Sequence, residues 1–93
     1  MRCSVDITED AVDELAKVPF HIARKLEYWI DAVEKYGIEA VRKVPGYHDE
    51  PLKGDRKGRR SIRLNKAYRA IYIETKTHEI RLILIVEVNK HDY

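Results

Sequence analysis

The apolar residues of this chain change their spacing near position 59, and that change limits the folds open to it. In "PFHIARKLEYWIDAVEKYG", Ile22, Leu26, Trp29, Ile30, Val33 and Tyr36 recur every three or four residues, the period of an amphipathic helix. In "RRSIRLN", Ile62 and Leu64 alternate with Ser61, Arg63 and Asn65, the period of a strand covered on one face. "AYRAIYIET" reads as a second strand, reached through a tight turn at "NK". "EIRLILIVEVN" reads as a third, and its unbroken apolar centre predicts a middle strand covered on both faces.

The first part of the chain completes the pattern. "RCSVDI" is a short strand with Cys3, Val5 and Ile7 on one side. Thr8 is placed to cap a helix, because Glu9 and Asp10 follow where acids suit the helix dipole. That helix carries Ala11, Val12, Leu15 and Ala16 and stops before Pro19, which can open the second helix; Gly37 ends it. "IEAVRKV" adds at most two turns, and "PGYHDEPLKGDRKG" reads as loop. The predicted fold is α+β: an N-terminal strand and an antiparallel pair of helices packed on a small, mostly antiparallel sheet. A chain of 93 residues has surface enough for one core, so residues 1–93 are expected to form a single domain.

With 44% hydrophobic and 37% charged residues, the composition is that of a soluble globular protein. "MRCSVDITEDA" has no run of apolar residues like a signal peptide, and Leu82 to Val86 is too short to cross a bilayer, so the expected location is the cytoplasm. The one cysteine, Cys3, cannot close an internal disulfide and reads as a small buried residue. The net charge of +2 hides a sharp division. Between Leu52 and Tyr72 stand Lys53, Arg56, Lys57, Arg59, Arg60, Arg63, Lys66 and Arg69 against Asp55 alone, +7 in that stretch and −5 elsewhere. Such a division points to a polyanion, and the six residues Arg56, Lys57, Arg59, Arg60, Arg63 and Lys66 are the candidate RNA contacts. The plainer alternative is a well-solvated hairpin.

Cleavage of an RNA phosphodiester needs a base for the 2′-hydroxyl, cations for the charge developing on phosphate, and an acid for the leaving oxygen. Glu50 and His48 are the possible bases, and His91 lies just beyond the last strand. Arg63 and Arg69 fall on paired strands, where a guanidinium can hold two phosphate oxygens at once, and Lys53 and Lys57 lie on the loop before them. Trp29, Tyr28 and Tyr36 read as core and core edge. Tyr68, Tyr72 and Tyr93 could stack on bases, although strand tyrosines usually pack. No glycine-rich phosphate loop or metal-ligand spacing occurs.

"EPLKGDRKGRRSIRLNKAYRAIY", the apolar strand after it and a terminal "HDY" resemble the RelE superfamily of bacterial toxin–antitoxin ribonucleases, particularly its YoeB and HigB branches. In YoeB-like toxins a Glu-Pro-Leu-Lys-Gly segment lies nineteen positions before a strand arginine, as Glu50 precedes Arg69 here. Those toxins end in an adjacent His and Tyr, whereas Asp92 separates His91 from Tyr93. The resemblance implies a toxin that enters the ribosomal A site and cuts the mRNA codon there to a 2′,3′-cyclic phosphate, with no metal and no cofactor. It implies Glu50 as base, Lys53 and Arg69 on the phosphate, His91 as acid and Tyr93 orienting substrate, with Arg63 and Lys57 in support. A cognate antitoxin, the ribosome and mRNA are the implied partners, and no membrane. Two alternatives remain open: a ParE-like toxin that blocks DNA gyrase by binding, and a plain RNA-binding module.

Overall fold

The computed structural model describes residues 2–76 and 80–90. Its elements run β1 (Arg2–Ile7), α1 (Glu9–Leu15), α2 (Phe20–Tyr36), α3 (Ile38–Arg42), β2 (Glu50–Pro51), β3 (Arg59–Arg63), β4 (Tyr68–Lys76) and β5 (Ile80–Lys90). Short 3₁₀ turns at Pro45–Tyr47 and Gly54–Arg56 flank β2. No helix among the described residues is long and apolar enough to cross a membrane.

The local signals act as expected. Thr8 Oγ1 accepts from the Ala11 N–H at 3.1 Å, with Glu9 and Asp10 in the first turn of α1. Pro19 occupies the N-cap of α2, which buries Ile22, Leu26, Trp29 and Val33. Gly37 takes φ 90° and ψ 152°, a region closed to residues with a Cβ, and this lets α3 follow α2 without a linker. The buried Cys3 Sγ lies beneath, accepting from the Ile38 N–H at 3.4 Å.

The five strands form one mixed sheet in the order β1-β5-β4-β3-β2, parallel between β1 and β5 and antiparallel elsewhere. The α+β expectation holds, with three differences of detail. Glu50–Pro51, expected as loop, pairs with β3 through Glu50↔Ser61 and Pro51↔Arg60. The connection between β3 and β4 runs from Leu64 to Ala67 rather than through "NK" alone, because Asn65 Oδ1 accepts from the N–H groups of Ala67 and Tyr68 and organises a wider turn. Strand β5 is a middle strand, yet helices cover only one of its faces: Ile83, Ile85 and Val88 are buried, whereas Leu82 is exposed and Leu84 half-exposed.

That uneven burial follows from a bulge. Ile71 pairs with Glu87 but Tyr72 pairs with Ile85, so Val86 is the extra residue and the alternation of β5 reverses phase there. Val88 thereby joins Ile83 and Ile85 on the helix side, and Glu87 and Asn89 turn to the open side. At the outer edge, the Val5 N–H donates to Glu34 Oε2 at 3.3 Å and the Ile7 N–H to its neighbour Asp6 Oδ1 at 2.8 Å. Carboxylates thus occupy the edge positions another strand would need.

Trp29 and Tyr72, both fully buried, stack at 5.2 Å with their planes 47° apart and form the centre of the core between α2 and the sheet. Four residues expected in or beside the core are exposed instead: Val12, Ala16, Tyr28 and Tyr36. The buried stripe of α2 steps from Ile22 to Leu26, Trp29 and Val33, which leaves Tyr28 on the outer face, where the Arg24 guanidinium lies over its ring. Burial, and then the hydrogen bond to Asp49, push the Tyr72 phenol well above the usual tyrosine range. The unfolded chain therefore releases this proton first. The stability due to Tyr72 is whole below the ordinary tyrosine pKa of about 10 and is lost as pH rises towards the folded value. Denaturation midpoints should fall above about pH 10, and Tyr72→Phe should flatten the fall to the part contributed by Tyr47, which burial also raises.

Candidate active site

Residues paired across neighbouring strands share a face of the sheet. The pairs Glu50↔Ser61, Ser61↔Ile71, Arg63↔Arg69 and Arg69↔Asn89 therefore bring four strands' side chains to the open side, opposite the helices. There Glu50, Ser61, Arg63 and Arg69 line a cleft, closed around its rim by His48, Leu52, Asn65, Lys66 and Tyr68. Its volume is about 80 Å³. Small-molecule pockets hold about 300 Å³ or more, so this cleft has the size for a single group such as a phosphate.

Its charges are arranged for an anion. Arg63 and Arg69 stand directly opposite each other, an arrangement of like charges that destabilises a sheet when nothing lies between them. Arg69 Nε donates to Asn89 Oδ1 at 3.3 Å, which leaves the two terminal amino groups of the guanidinium without a partner among the described residues. Arg63 is exposed and makes no ion pair or hydrogen bond among those residues, nor does the exposed carboxylate of Glu50. His48 carries φ 46° and ψ 48°, the one non-glycine residue with positive φ among the described residues. Backbone strain of this kind costs about 1–3 kcal/mol and collects at sites where geometry serves function.

Seven of the eight cations of the basic stretch divide between two tasks. Arg56 and Arg59 pair with Glu87 at 3.4 and 3.1 Å on the open face. Arg60, expected as an RNA contact, faces the helix side and donates to Asp49 at 2.6 Å, because it alternates with Arg59 and Ser61 along β3. Lys53 and Lys57 flank the Gly54–Arg56 turn, exposed, beyond the lining of the cleft. Lys53, Lys57, Arg63 and Arg69 have no ion pair among the described residues, so the charge free to meet a polyanion lies on and beside the cleft. His91 and Tyr93, the expected acid and its neighbour, lie outside the described residues. Tyr72 is core; Tyr68 borders the cleft.

Sequence reasoning passed over Asp49, whose side chain is fully buried under the sheet. It accepts from Arg60 Nε at 2.6 Å and from the Tyr72 hydroxyl at 2.6 Å, with Arg42 Nε 3.9 Å away. Arg42 donates to Tyr72 at 3.2 Å and to Glu74 at 2.8 Å. Burial opposes the Arg42 charge, but these hydrogen bonds outweigh it and hold the guanidinium protonated. Asn89 and Glu87 were passed over too. The spacing of Ile83, Ile85 and Val88, two and then three, was the signal that the strand changes phase between them. Among the described residues no group of three or more His, Cys, Asp and Glu side chains is arranged to hold a metal ion.

This five-stranded mixed sheet with helices on one face is the fold of solved RelE- and YoeB-type toxin structures. The chain superposes on a YoeB/ParE toxin from Agrobacterium tumefaciens with a TM-score of 0.70 and 18% identity, covering 99% of this chain and 100% of that one. With YafQ from E. coli the TM-score is 0.76 at 16% identity, over 98% of this chain and 94% of that one. A chain of the toxin–antitoxin complex RelBE2 from Mycobacterium tuberculosis gives 0.70 at 20% identity, over 98% and 100%. No protein-family model and no curated protein sequence matches the chain.

The two kinds of cation should respond differently to substitution. Asp49→Ala should cost about 3 kcal/mol in denaturant unfolding, the low end for breaking a buried pair, because Arg42 and Arg60 keep partial contact with water. Arg63→Gln should change stability by no more than about 0.5 kcal/mol.

Proposed function

We propose that this chain is the toxin of a toxin–antitoxin pair: a single-domain, cytoplasmic endoribonuclease that cuts mRNA in the ribosomal A site by metal-independent acid–base chemistry. The observation that carries this reading is the cleft, where a carboxylate and two arginines that have no ion pair among the described residues share one small space. A site meant only to coat RNA backbone has no use for Glu50, which repels phosphate. A site meant to remove the 2′-hydroxyl proton needs it.

In the proposed reaction Glu50 takes the proton of the 2′-hydroxyl as that oxygen bonds to phosphorus. Arg69 and Arg63 hold the non-bridging oxygens, whose charge grows as the bond forms. The bond from phosphorus to the 5′-oxygen then breaks, and His91 gives its proton to the leaving oxygen, with Tyr93 orienting the substrate. The products are a 2′,3′-cyclic phosphate and a 5′-hydroxyl. Lys53 and Lys57, exposed on the turn beyond the cleft lining, and Lys66 on the rim draw in RNA by charge, so Lys53 acts at longer range than the resemblance implied. Solved complexes of structural neighbours, DinJ with YafQ and YoeB with YefM, support a cognate antitoxin as the resting partner.

Induction in cells followed by primer extension should locate cuts inside translated codons; intact mRNA with accumulated DNA breaks would instead mark a gyrase poison. Glu50→Gln and His91→Gln should each lower cleavage by about 10²-fold or more while ribosome binding persists. Arg69→Lys keeps the charge but loses the planar fork, so cleavage should slow far more than binding weakens. Rate and affinity falling in proportion would make Arg69 a binding residue only. Replacing Lys53 and Lys57 with Gln should lower the salt dependence of RNA affinity by about two phosphate contacts' worth of slope, read from binding at graded salt.

A further inference from the structure

We propose that Asp49 and Tyr72, on the helix side of the sheet, are positioning residues for Glu50 on the opposite side; the inference rests on the proposed role of Glu50 as base. Strand β2 is too short to hold itself. It has two residues, one of them Pro51, which has no N–H to give to the ladder. The Glu50 carboxylate makes no hydrogen bond among the described residues, so its position follows from its backbone. On the upstream side that backbone emerges from the strained His48.

What holds it is the residue between them. The Asp49 carboxylate is fully buried and accepts from Arg60 and Tyr72, both at 2.6 Å. Those two partners are themselves paired across β3 and β4, and Tyr72 stacks on Trp29 at the centre of the core. Their neighbours Ser61 and Ile71 continue, on the other face, the cross-strand row that Glu50 begins. The core thus grips the chain one residue before the base, and alternation carries that grip through the sheet. Burying a carboxylate is costly, and a buried Asp at this place buys geometry that an apolar residue could not supply. An apolar side chain there would fill space without fixing the direction of the 49–50 peptide.

The test uses Tyr72→Phe, which removes one hydrogen bond to Asp49 and keeps the ring on Trp29. Amide exchange should speed up at Leu52, whose N–H bonds the Arg59 carbonyl at 2.9 Å, and at the β2–β3 pairs, with β4–β5 unchanged. Single-turnover cleavage of ribosome-bound mRNA should fall about tenfold to hundredfold, the scale for a misplaced catalytic group, at unchanged ribosome affinity. In a Glu50→Gln background the same change should have no further effect, since nothing remains to be positioned. Equal losses in both backgrounds, or unchanged exchange at β2, would overturn the inference. If Glu50→Gln cuts as fast as wild type, Glu50 is not the base and the positioning role falls with it. If the wild-type chain cuts no mRNA, the ribonuclease reading fails, and the exchange data from the same samples still decide whether Asp49 holds β2.

Discussion

A sheet covered on one side sorts its residues by parity, and most of this molecule follows from that sorting. Odd and even positions along β3 part company: Arg59, Ser61 and Arg63 go to the open face, Arg60 and Ile62 to the helices. Strand β4 does the same with Arg69 and Ile71 against Ala70 and Tyr72. The core and the cleft are therefore built from the same short stretches of chain, one on each side of a single layer of backbone. Moving either strand by one residue would exchange them, placing arginines against Trp29 and the apolar residues in water. Hydrophobic burial on one side is what enforces an arrangement of charge on the other.

This division makes the basic stretch less uniform than its composition. A run of eight cations counts as one field at a distance, and at that range it attracts any polyanion. At close range three of its arginines are committed to Glu87 and Asp49, and serve the structure. Arg63 and Arg69, which have no ion pair among the described residues, lie where Glu50 stands. The acids that neutralise the first group come from outside the basic stretch, from the turn before β2 and from β5. The wider chain's negative balance is thus partly spent at the sheet itself.

Much of this was legible in the sequence, and the parts that were not share a physical cause. The period change, the Thr8 cap and the Gly37 stop are local effects, so the helices and the three long strands could be read directly. Glu50, Arg63 and Arg69 could be named as candidates from the chemistry of RNA cleavage and from the resemblance to RelE-type toxins. The α+β architecture holds. Arg60 was misread although the alternation of Ile62 and Leu64 already put it on the covered side, because a cation is read as solvated until a buried acid such as Asp49 is seen to meet it. Tyr28 and Tyr36 were misread because tyrosine satisfies either face of a helix. Asp49 could not be seen at all. A lone acid in a polar loop looks solvated until the fold brings an arginine, a tyrosine and a second arginine around it from three other elements.

The pairing of β1 with β5 joins the first and last strands among the described residues. A chain emerging from the ribosome can form its helices as it goes and can begin the β3–β4 hairpin. It cannot fill the middle of the sheet until β5 is out, and only then does Asn89 reach Arg69. The cleft is therefore completed with the sheet as a whole and not with the β3–β4 hairpin alone. A piece of the chain that stops short of β5 could form helices and a hairpin, yet it would lack the partner that orients Arg69 in the cleft.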